Sequence, residues 1–326
     1  MKTANKSQAN QAKSLPKLLP KPLPESLDGE LCLLGASGLS EFISFVRRRT
    51  VDGKAIEEMQ AADMWRDAAK IYHALEQTEA GAADNPEVLP IPADLNAHIK
   101  KLTKHTNFVQ SFSNVPICFG MVELDKLVMS QFNVTQSTVS GLADYLGKNP
   151  SNAKLAQVCL PMSPTKANYE LVKEGRDGYV FQSDSHDFRF LGAKLLEPEQ
   201  LKEFKHFGYP SAVLALAVGF SSNVLNTVRY NNRIVLNNGY HRVYTMRSLG
   251  ITHAPCVIQV CSHVEELGLA GAAEISDNSE LYFKSPRPPM LKDYFNPTLT
   301  ASFNTHALCR QIQLKYLVDN MKLRKC

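Results

Sequence analysis

A glycine, a histidine and an arginine stand close together in the segment NNGYHR, as Gly239, His241 and Arg242. Glycine lets a ligand approach the backbone closely, and arginine offers a planar fork that matches phosphate. Histidine can donate, accept or titrate near neutral pH. These residue types at this spacing are suited to holding a phosphate group and to moving a proton beside it.

The surrounding residues predict a strand, a tight turn and a helix that would position this group. Residues 234–236 are a short aliphatic run that is typical of a strand. From Tyr240 onward, Val243, Met246 and Leu249 recur at helical spacing, and a glycine follows them as a C-cap. A helix N-terminus presents backbone N–H groups and the positive end of the dipole, which attract anions. The sequence therefore predicts a phosphate site at the turn.

Each residue of the turn has an expected role. His241 is predicted to act as a general acid or base, or to orient a phosphate, and Arg242 to stabilise charge on a transferring phosphoryl group. Asn238, Gly239 and Tyr240 are predicted to bind the ligand, and Asn238 is also expected to cap the helix. A structural interpretation stays open, in which Gly239 supplies backbone freedom and Arg242 pairs with a surface acid.

A second polar group lies upstream, in the segment MVELDKL and at Gln131. Residues 117–124 are predicted to form a strand, so that Glu123 and Asp125 lie at its end. A carboxylate near a phosphate can hold Mg²⁺ or act as a base on a hydroxyl nucleophile. We predict Glu123 as a catalytic residue, Glu123 and Asp125 as magnesium ligands, and Gln131 as a ligand-binding residue. An ordinary charged residue at a strand edge is the more common explanation for each carboxylate alone.

The strand, the NGYHR turn and a helix that ends in SLGITHAPC resemble the ParB/sulfiredoxin superfamily, and the MVELDKL segment resembles its opening strand. The resemblance covers roughly residues 115–262. It implies a mixed α/β fold that binds a nucleoside triphosphate with Mg²⁺, or another phosphorylated ligand, at the turn. The activities it implies are nucleotide hydrolysis, nuclease action or small-molecule phosphorylation. A non-enzymatic module that senses a ligand, binds DNA or binds a protein is the alternative on the same fold.

The chain departs from two branches of that superfamily. Tyr240 stands where sulfiredoxins carry a cysteine, so reduction of a sulfinic acid is not expected. Partition proteins of the ParB type carry G-E-R-R at the turn and a helix-turn-helix afterwards, and we identify no such module after residue 262. One fold of this kind hosts several chemistries.

The pattern of apolar residues predicts an α+β protein in four parts. Residues 1–28 read as a disordered, basic, proline-rich arm, and residues 29–112 as an all-helical region. Residues 113–262 would form the ParB/sulfiredoxin-like domain. Residues 263–326 would be an extension that ends in an amphipathic helix containing Leu314, Leu317 and Val318.

Charge and cysteine content limit the partners and the setting. The net charge of +4 divides into basic ends, residues 1–24 and 309–326, and an acidic body. Such ends are able to contact nucleic acid, although solubilising tails are the commoner explanation. The helical first third is a further candidate surface for a protein partner. Seven cysteines without a C-x-x-C pair argue against a disulfide framework and against zinc, so a cytoplasmic protein is expected. No stretch approaches the roughly 20 apolar residues of a membrane span.

Overall fold

The fold was analysed in a computed structural model, which describes residues 27–51, 53, 56–162, 168–175, 178–185, 187–197, 212–220, 222–307 and 309–319. It is a mixed α+β structure with several sheets, as predicted. The described residues fall into two compact units. The core unit comprises the described residues within 25–165 and 221–307, and the small unit comprises those within 166–220 and 308–326. The described residues within 166–220, which lie inside the predicted 113–262 domain, belong to the small unit.

The helices and strands have the following bounds. The helices are α1 (Leu39–Arg49), α2 (Glu58–Thr78), α3 (Asn96–Leu102), α4 (Thr106–Ser111), α5 (Gln136–Leu146), α6 (Asn152–Cys159), α7 (Tyr240–Ser248), α8 (Leu267–Ala270), α9 (Ala273–Asp277) and α10 (Ser279–Phe283). The strands are β1 (Leu27–Leu33), β2 (Val88–Leu89), β3 (Ile117–Glu123), β4 (Val128–Met129), β5 (Asn133–Thr135), β6 (Glu170–Glu174), β7 (Gly178–Ser183), β8 (Phe188–Leu196), β9 (Val213–Phe220), β10 (Asn226–Tyr230), β11 (Arg233–Asn238), β12 (His253–Cys261), β13 (Thr300–His306) and β14 (Arg310–Lys315). Short 3₁₀ turns cover Ala93–Leu95, Val264–Glu266 and Leu291–Phe295.

The central sheet of the core unit has six strands in the order β2-β3-β12-β10-β11-β4. β10 and β11 form an antiparallel hairpin, β10 runs parallel to β12, and β12 runs antiparallel to β3. The strands β11 and β12 flank α7, so the predicted strand–turn–helix–strand unit is confirmed. β11 and β3 both end at the same edge of the sheet, where β10 and β12 begin.

The two faces of this sheet carry separate apolar clusters. Ile234 and Leu236 of β11 point toward the larger cluster, which also contains Val243 and Met246 of α7. Val235 points to the opposite face, where residues of α8, α9 and α10 pack. This period of two along a strand buried on both faces explains why β11 reads as a continuous aliphatic run.

The first part of the chain is not all-helical, which corrects the prediction for residues 29–112. The helices α1 to α4 are present, but β1 opens the described chain and β2 joins the central sheet. β1 is the middle strand of a second sheet, between β13 and β5, with Leu31 opposite Ser302 and Val134. A strand whose partners lie about a hundred and nearly three hundred residues away leaves only a weak local signal.

The predicted C-terminal helix is likewise wrong where the structure describes the chain. Leu314 lies in β14, opposite Tyr179 of β7, and Leu317 and Val318 follow as exposed, irregular chain. The run RQIQLK alternates polar and apolar residues, which fits a strand better than the helical spacing used to predict a helix. Residues 320–326 lie outside the described residues.

None of the described helices is long and apolar enough to cross a membrane. The proline-rich arm falls almost wholly outside the described residues, which begin at Leu27.

Candidate functional site

The turn between β11 and α7 is closed by a glycine that the backbone geometry requires. Gly239 is the N-cap of α7 and has φ of 113° and ψ of 27°, in the left-handed region. A Cβ atom at this position would lie 2.2 Å from Cδ1 of Leu225, a buried side chain. Both the positive φ and the close approach of Leu225 therefore disfavour any residue with a side chain. The prediction that Gly239 makes this turn has a concrete structural basis.

Arg242 lies directly beneath that glycine, with its side chain turned inward. Its Nη1 atom donates to the carbonyl oxygens of Asn223, at 2.6 Å, and of Val158, at 3.1 Å. Val158 belongs to the last turn of α6, so the guanidinium also caps the carbonyl end of that helix. Nη2 is 3.1 Å from the point where a Cβ of Gly239 would stand. A buried positive charge thus sits under the turn, and two backbone carbonyls hold it there.

Tyr240 fastens the start of α7 to the neighbouring strand. Its hydroxyl donates to the carbonyl of Leu236, at 2.8 Å, and lies 2.6 Å from Oγ of Ser130. Burial raises the pKa of this phenol well above its usual range, although the hydrogen bond to Ser130 lowers it. The phenol therefore stays protonated, and its hydroxyl is already engaged. The geometry favours a structural role over contact with a ligand.

Gln131 follows Ser130 in the chain and so lies near the turn. Its side-chain Nε2 atom donates to the backbone carbonyl of Asn133 at 3.1 Å, and its backbone carbonyl accepts from the hydroxyl of Tyr294 at 2.9 Å. These bonds hold the segment between β4 and β5.

The rim of the turn is half-buried and so reaches solvent. Asn238, Tyr240 and His241 all have intermediate exposure, whereas Gly239 and Arg242 are buried. The Nδ2 atom of Asn238 makes a long hydrogen bond of 3.4 Å to the carbonyl of Ser222. The first turn of α7 contains no acidic residue, so the dipole there faces no negative side chain of its own helix.

An amide cluster on the other face of the sheet was not found from the sequence. Nδ2 of Asn237 donates to Oδ1 of Asn226 at 2.7 Å, and Oδ1 of Asn237 accepts from the backbone of Ala272 at 2.9 Å. Nε2 of Gln259 lies 3.4 Å from the same oxygen of Asn226. Asn226 and Gln259 are buried, so the cluster fixes the end of the β10–β11 hairpin against the loop before α9. No local pattern marks these residues, because each partner lies on a different element.

The structure does not bring Glu123 and Asp125 to the turn. Oε2 of Glu123 accepts from the backbone N–H of Glu87 at 2.8 Å and lies 3.7 Å from Nζ of Lys126. Asp125 pairs with Arg247 in the last turn of α7. Because a helix rises 1.5 Å per residue, Arg247 is about 10 Å along the axis from the first turn. The two carboxylates therefore lie at the far end of the helix from Gly239.

These placements do not fit a magnesium site built by the protein at the turn. Within the described part of the chain, no three His, Cys, Asp or Glu side chains converge as metal ligands. One carboxylate is used by a backbone N–H and the other by an arginine. The predicted magnesium ligands thus have other partners, and no step below depends on a metal that they hold.

Two buried cysteines, Cys159 and Cys256, lie within the electrostatic influence of Arg242. Burial raises the pKa of Cys159 to about 12, and the nearby Arg242 lowers it by less. Burial likewise raises the pKa of Cys256, whose thiol contacts the hydroxyl of Thr227 at 3.7 Å. Both thiols are therefore neutral near physiological pH, so neither is an activated nucleophile.

A groove lies elsewhere in the described part of the chain. It has a volume of about 550 Å³ between α1 and the start of α2, and its lining includes Leu39, Ile43, Arg47, Arg48 and Glu58. Arg47 already pairs with Glu58 at 2.5 Å. We place the candidate site at the turn because phosphate groups are held by backbone N–H groups at helix ends, which need no deep apolar pocket.

Comparison with known proteins yields no matching family model, curated protein or solved structure.

Proposed function

We propose that the chain binds a phosphate-bearing ligand, most simply a nucleotide, at the turn formed by Asn238, Gly239, Tyr240 and His241. The observation that carries this proposal is the geometry at the start of α7. Only glycine fits at position 239, the N-cap of the helix, and the buried guanidinium of Arg242 lies beneath it. The resemblance to the ParB/sulfiredoxin-like fold supports it and is part of the proposal.

Two electrostatic sources act on an anion at this rim. The backbone N–H groups and dipole of α7 point toward it, and the positive field of Arg242 reaches it from beneath. Because Nη1 of Arg242 is bonded to two carbonyls, the guanidinium contributes through its charge rather than as a fork on the phosphate. The half-buried rim leaves room for a ligand that remains partly in solvent.

The reaction we propose is phosphoryl transfer or the hydrolysis of a nucleotide or phosphodiester. His241 is the titratable group of the rim and would act as general acid or base, while Arg242 and the helix N-terminus stabilise charge on the phosphoryl group. Glu123 is not part of this group, since it lies at the other end of α7. Magnesium would arrive with the triphosphate rather than in a site built by Glu123 and Asp125.

The proposal is tested by adding one negative charge to the rim without changing its shape. Asn238→Asp replaces an amide by a carboxylate of the same size. At about 5 Å from a phosphate, this charge should weaken binding roughly 10-fold or more. Asn231→Asp is the matched control, because Asn231 lies in the exposed turn at the other end of the β10–β11 hairpin, about 20 Å away.

The measurement is thermal shift followed by calorimetry with ATP, CTP, GTP and ADP, each with and without Mg²⁺. A nucleotide that stabilises the wild type and Asn231→Asp, but binds Asn238→Asp weakly, supports the site. Equal binding to both variants places the ligand elsewhere and contradicts the proposal. Binding of no nucleotide also contradicts it. Steeply salt-dependent binding to nucleic acid would then favour the alternative, in which the basic ends contact nucleic acid. For any bound nucleotide that is turned over, His241→Ala should abolish turnover while binding is retained.

A further inference from the structure

The small unit contains an apolar β-ribbon, formed by β8 and β9, that pairs with no third strand among the described residues. The two strands pair antiparallel from Phe188 opposite Phe220 to Leu196 opposite Val213. At about 3.3 Å per residue, the ribbon is about 25 Å long. An isolated two-stranded ribbon of this kind is only marginally stable in water, so a further contact is expected to support it.

The ribbon is most deeply buried at one end. At one end Phe188 is only 1% exposed and packs on the rings of Tyr169 and Phe220, with centroids 6.4 Å and 5.3 Å away. At the other end Leu195 and Leu214, which face each other across the strands, are 61% and 60% exposed. The ribbon is therefore anchored at one end and carries its apolar side chains into solvent at the other.

One face of the ribbon is uncharged along its whole length. It carries the exposed side chains Phe190, Leu195, Leu214 and Leu216 and, between them, Ala193 and Val218. The charged residues of β8, Arg189 and Lys194, pair with Gly219 and Ala215 and so belong to the opposite face. β9 contains no charged residue at all. We call the uncharged face the ribbon face.

We propose that the ribbon face is a self-association surface, on which two copies of this chain pack about a twofold axis. A twofold contact joins the same patch on both copies, so a patch without charge is complementary to itself. The four large side chains expose roughly 400 Å², which is near the limit for an apolar patch on a monomer. A standard interface buries about 800 Å² per partner and is a little more than half apolar. The ribbon face thus supplies most of the apolar area that a stable dimer needs.

The full-length chain should sediment at twice its mass of 36.2 kDa at micromolar concentration. Leu214→Asp should weaken dimerisation by about 100-fold or more, because a dimer contains the substituted residue twice and buries both carboxylates. The control is Leu269→Asp, since Leu269 of α8 in the core unit is 58% exposed. Leu195→Asp, on the other strand, repeats the test if Leu214→Asp does not fold, as judged by circular dichroism.

Sedimentation equilibrium distinguishes the outcomes. A wild-type dimer that persists in Leu269→Asp and dissociates in a ribbon variant supports the proposal. A dimer that survives in the ribbon variants uses another surface and overturns it. A wild type that is monomeric at about 100 µM also overturns it. The apolar face would then be explained by membrane binding, detected as flotation with lipid vesicles, or by cover from another segment of the same chain.

Discussion

Replacing Gly239 by alanine tests whether the turn is built as described. Two costs are expected. A side chain in the left-handed region costs about 1–2 kcal/mol. The added Cβ, placed 2.2 Å from Cδ1 of Leu225, forces a buried leucine to move, and such overpacking costs about 1–3 kcal/mol. The free energy of unfolding should therefore fall by roughly 2–5 kcal/mol, or about 5–15 °C in melting temperature for a unit of this size.

Two other glycines separate these contributions. Gly250 has φ of 82° and no atom within 4 Å of the point where a Cβ would lie, so Gly250→Ala should cost only the conformational part, about 1–2 kcal/mol. Gly141 lies exposed in α5, with no such contact within 4 Å and an ordinary φ. Gly141→Ala should stabilise the protein, by about 0.5–1 kcal/mol, because alanine is the better helix former.

A double substitution isolates the contact with Leu225. In a Leu225→Ala background the methyl group that blocks the new Cβ is gone, so Gly239→Ala should cost only about 1–2 kcal/mol there. Unfolding in urea, followed by circular dichroism, gives the four free energies of the cycle. If Gly239→Ala costs no more than Gly250→Ala, or if Leu225→Ala leaves its cost unchanged, the close packing under the turn is refuted.

Two further predictions concern charge. The Arg242→Ala substitution removes the buried cation and leaves two carbonyls without a charged donor. We expect the free energy of unfolding in urea to fall by about 2–4 kcal/mol, with partial recovery in Arg242→Lys. Equal losses in the two variants would show that the charge is immaterial. The pKa of Glu79 is lowered by hydrogen bonds, first from Lys292 and then from Arg287. A carboxylate whose pKa is lower in the folded state than in the unfolded state stabilises the folded protein at pH values above its unfolded pKa. This contribution is lost as the pH falls through the folded-state pKa. The stability advantage of the wild type over Glu79→Gln should thus be present near pH 6 and fade as the pH falls below the ordinary glutamate pKa of about 4.3. An advantage that persists in strong acid would contradict the assignment of Lys292 and Arg287 as partners of Glu79.

The elements that the sequence predicts well are those whose signals are local. The run of residues 234–236, the glycine at 239 and the helical spacing that follows are contained within about fifteen residues, and β11 and α7 form there. α5 has local signals of the same kind, since it begins after Thr135 and ends before Gly147. Such signals need no knowledge of the rest of the fold.

The features that the sequence does not reveal depend on partners far along the chain. The position of β1 depends on β13 and β5, and the helical spacing used to predict a helix at Leu314 is overridden by pairing between β14 and β7. The side chain of Arg242 is directed inward by carbonyls 19 and 84 residues away. A sequence motif identifies the residue types at a turn. It does not show whether an arginine points toward a ligand or into the core.

The inward position of Arg242 determines how the proposed function must be tested. Arg242→Ala would remove a cap of α6 and support for the turn together with any effect on an anion, so loss of binding would not distinguish these causes. The side chain of Asn238 is held by a long hydrogen bond and reaches the rim, so a charge introduced there changes the field with little change in packing. A site that depends on the field of a buried cation and a helix end should respond to that charge. A ligand that is bound equally well by Asn238→Asp and Asn231→Asp does not occupy this turn, and the resemblance of the motif would not change that conclusion.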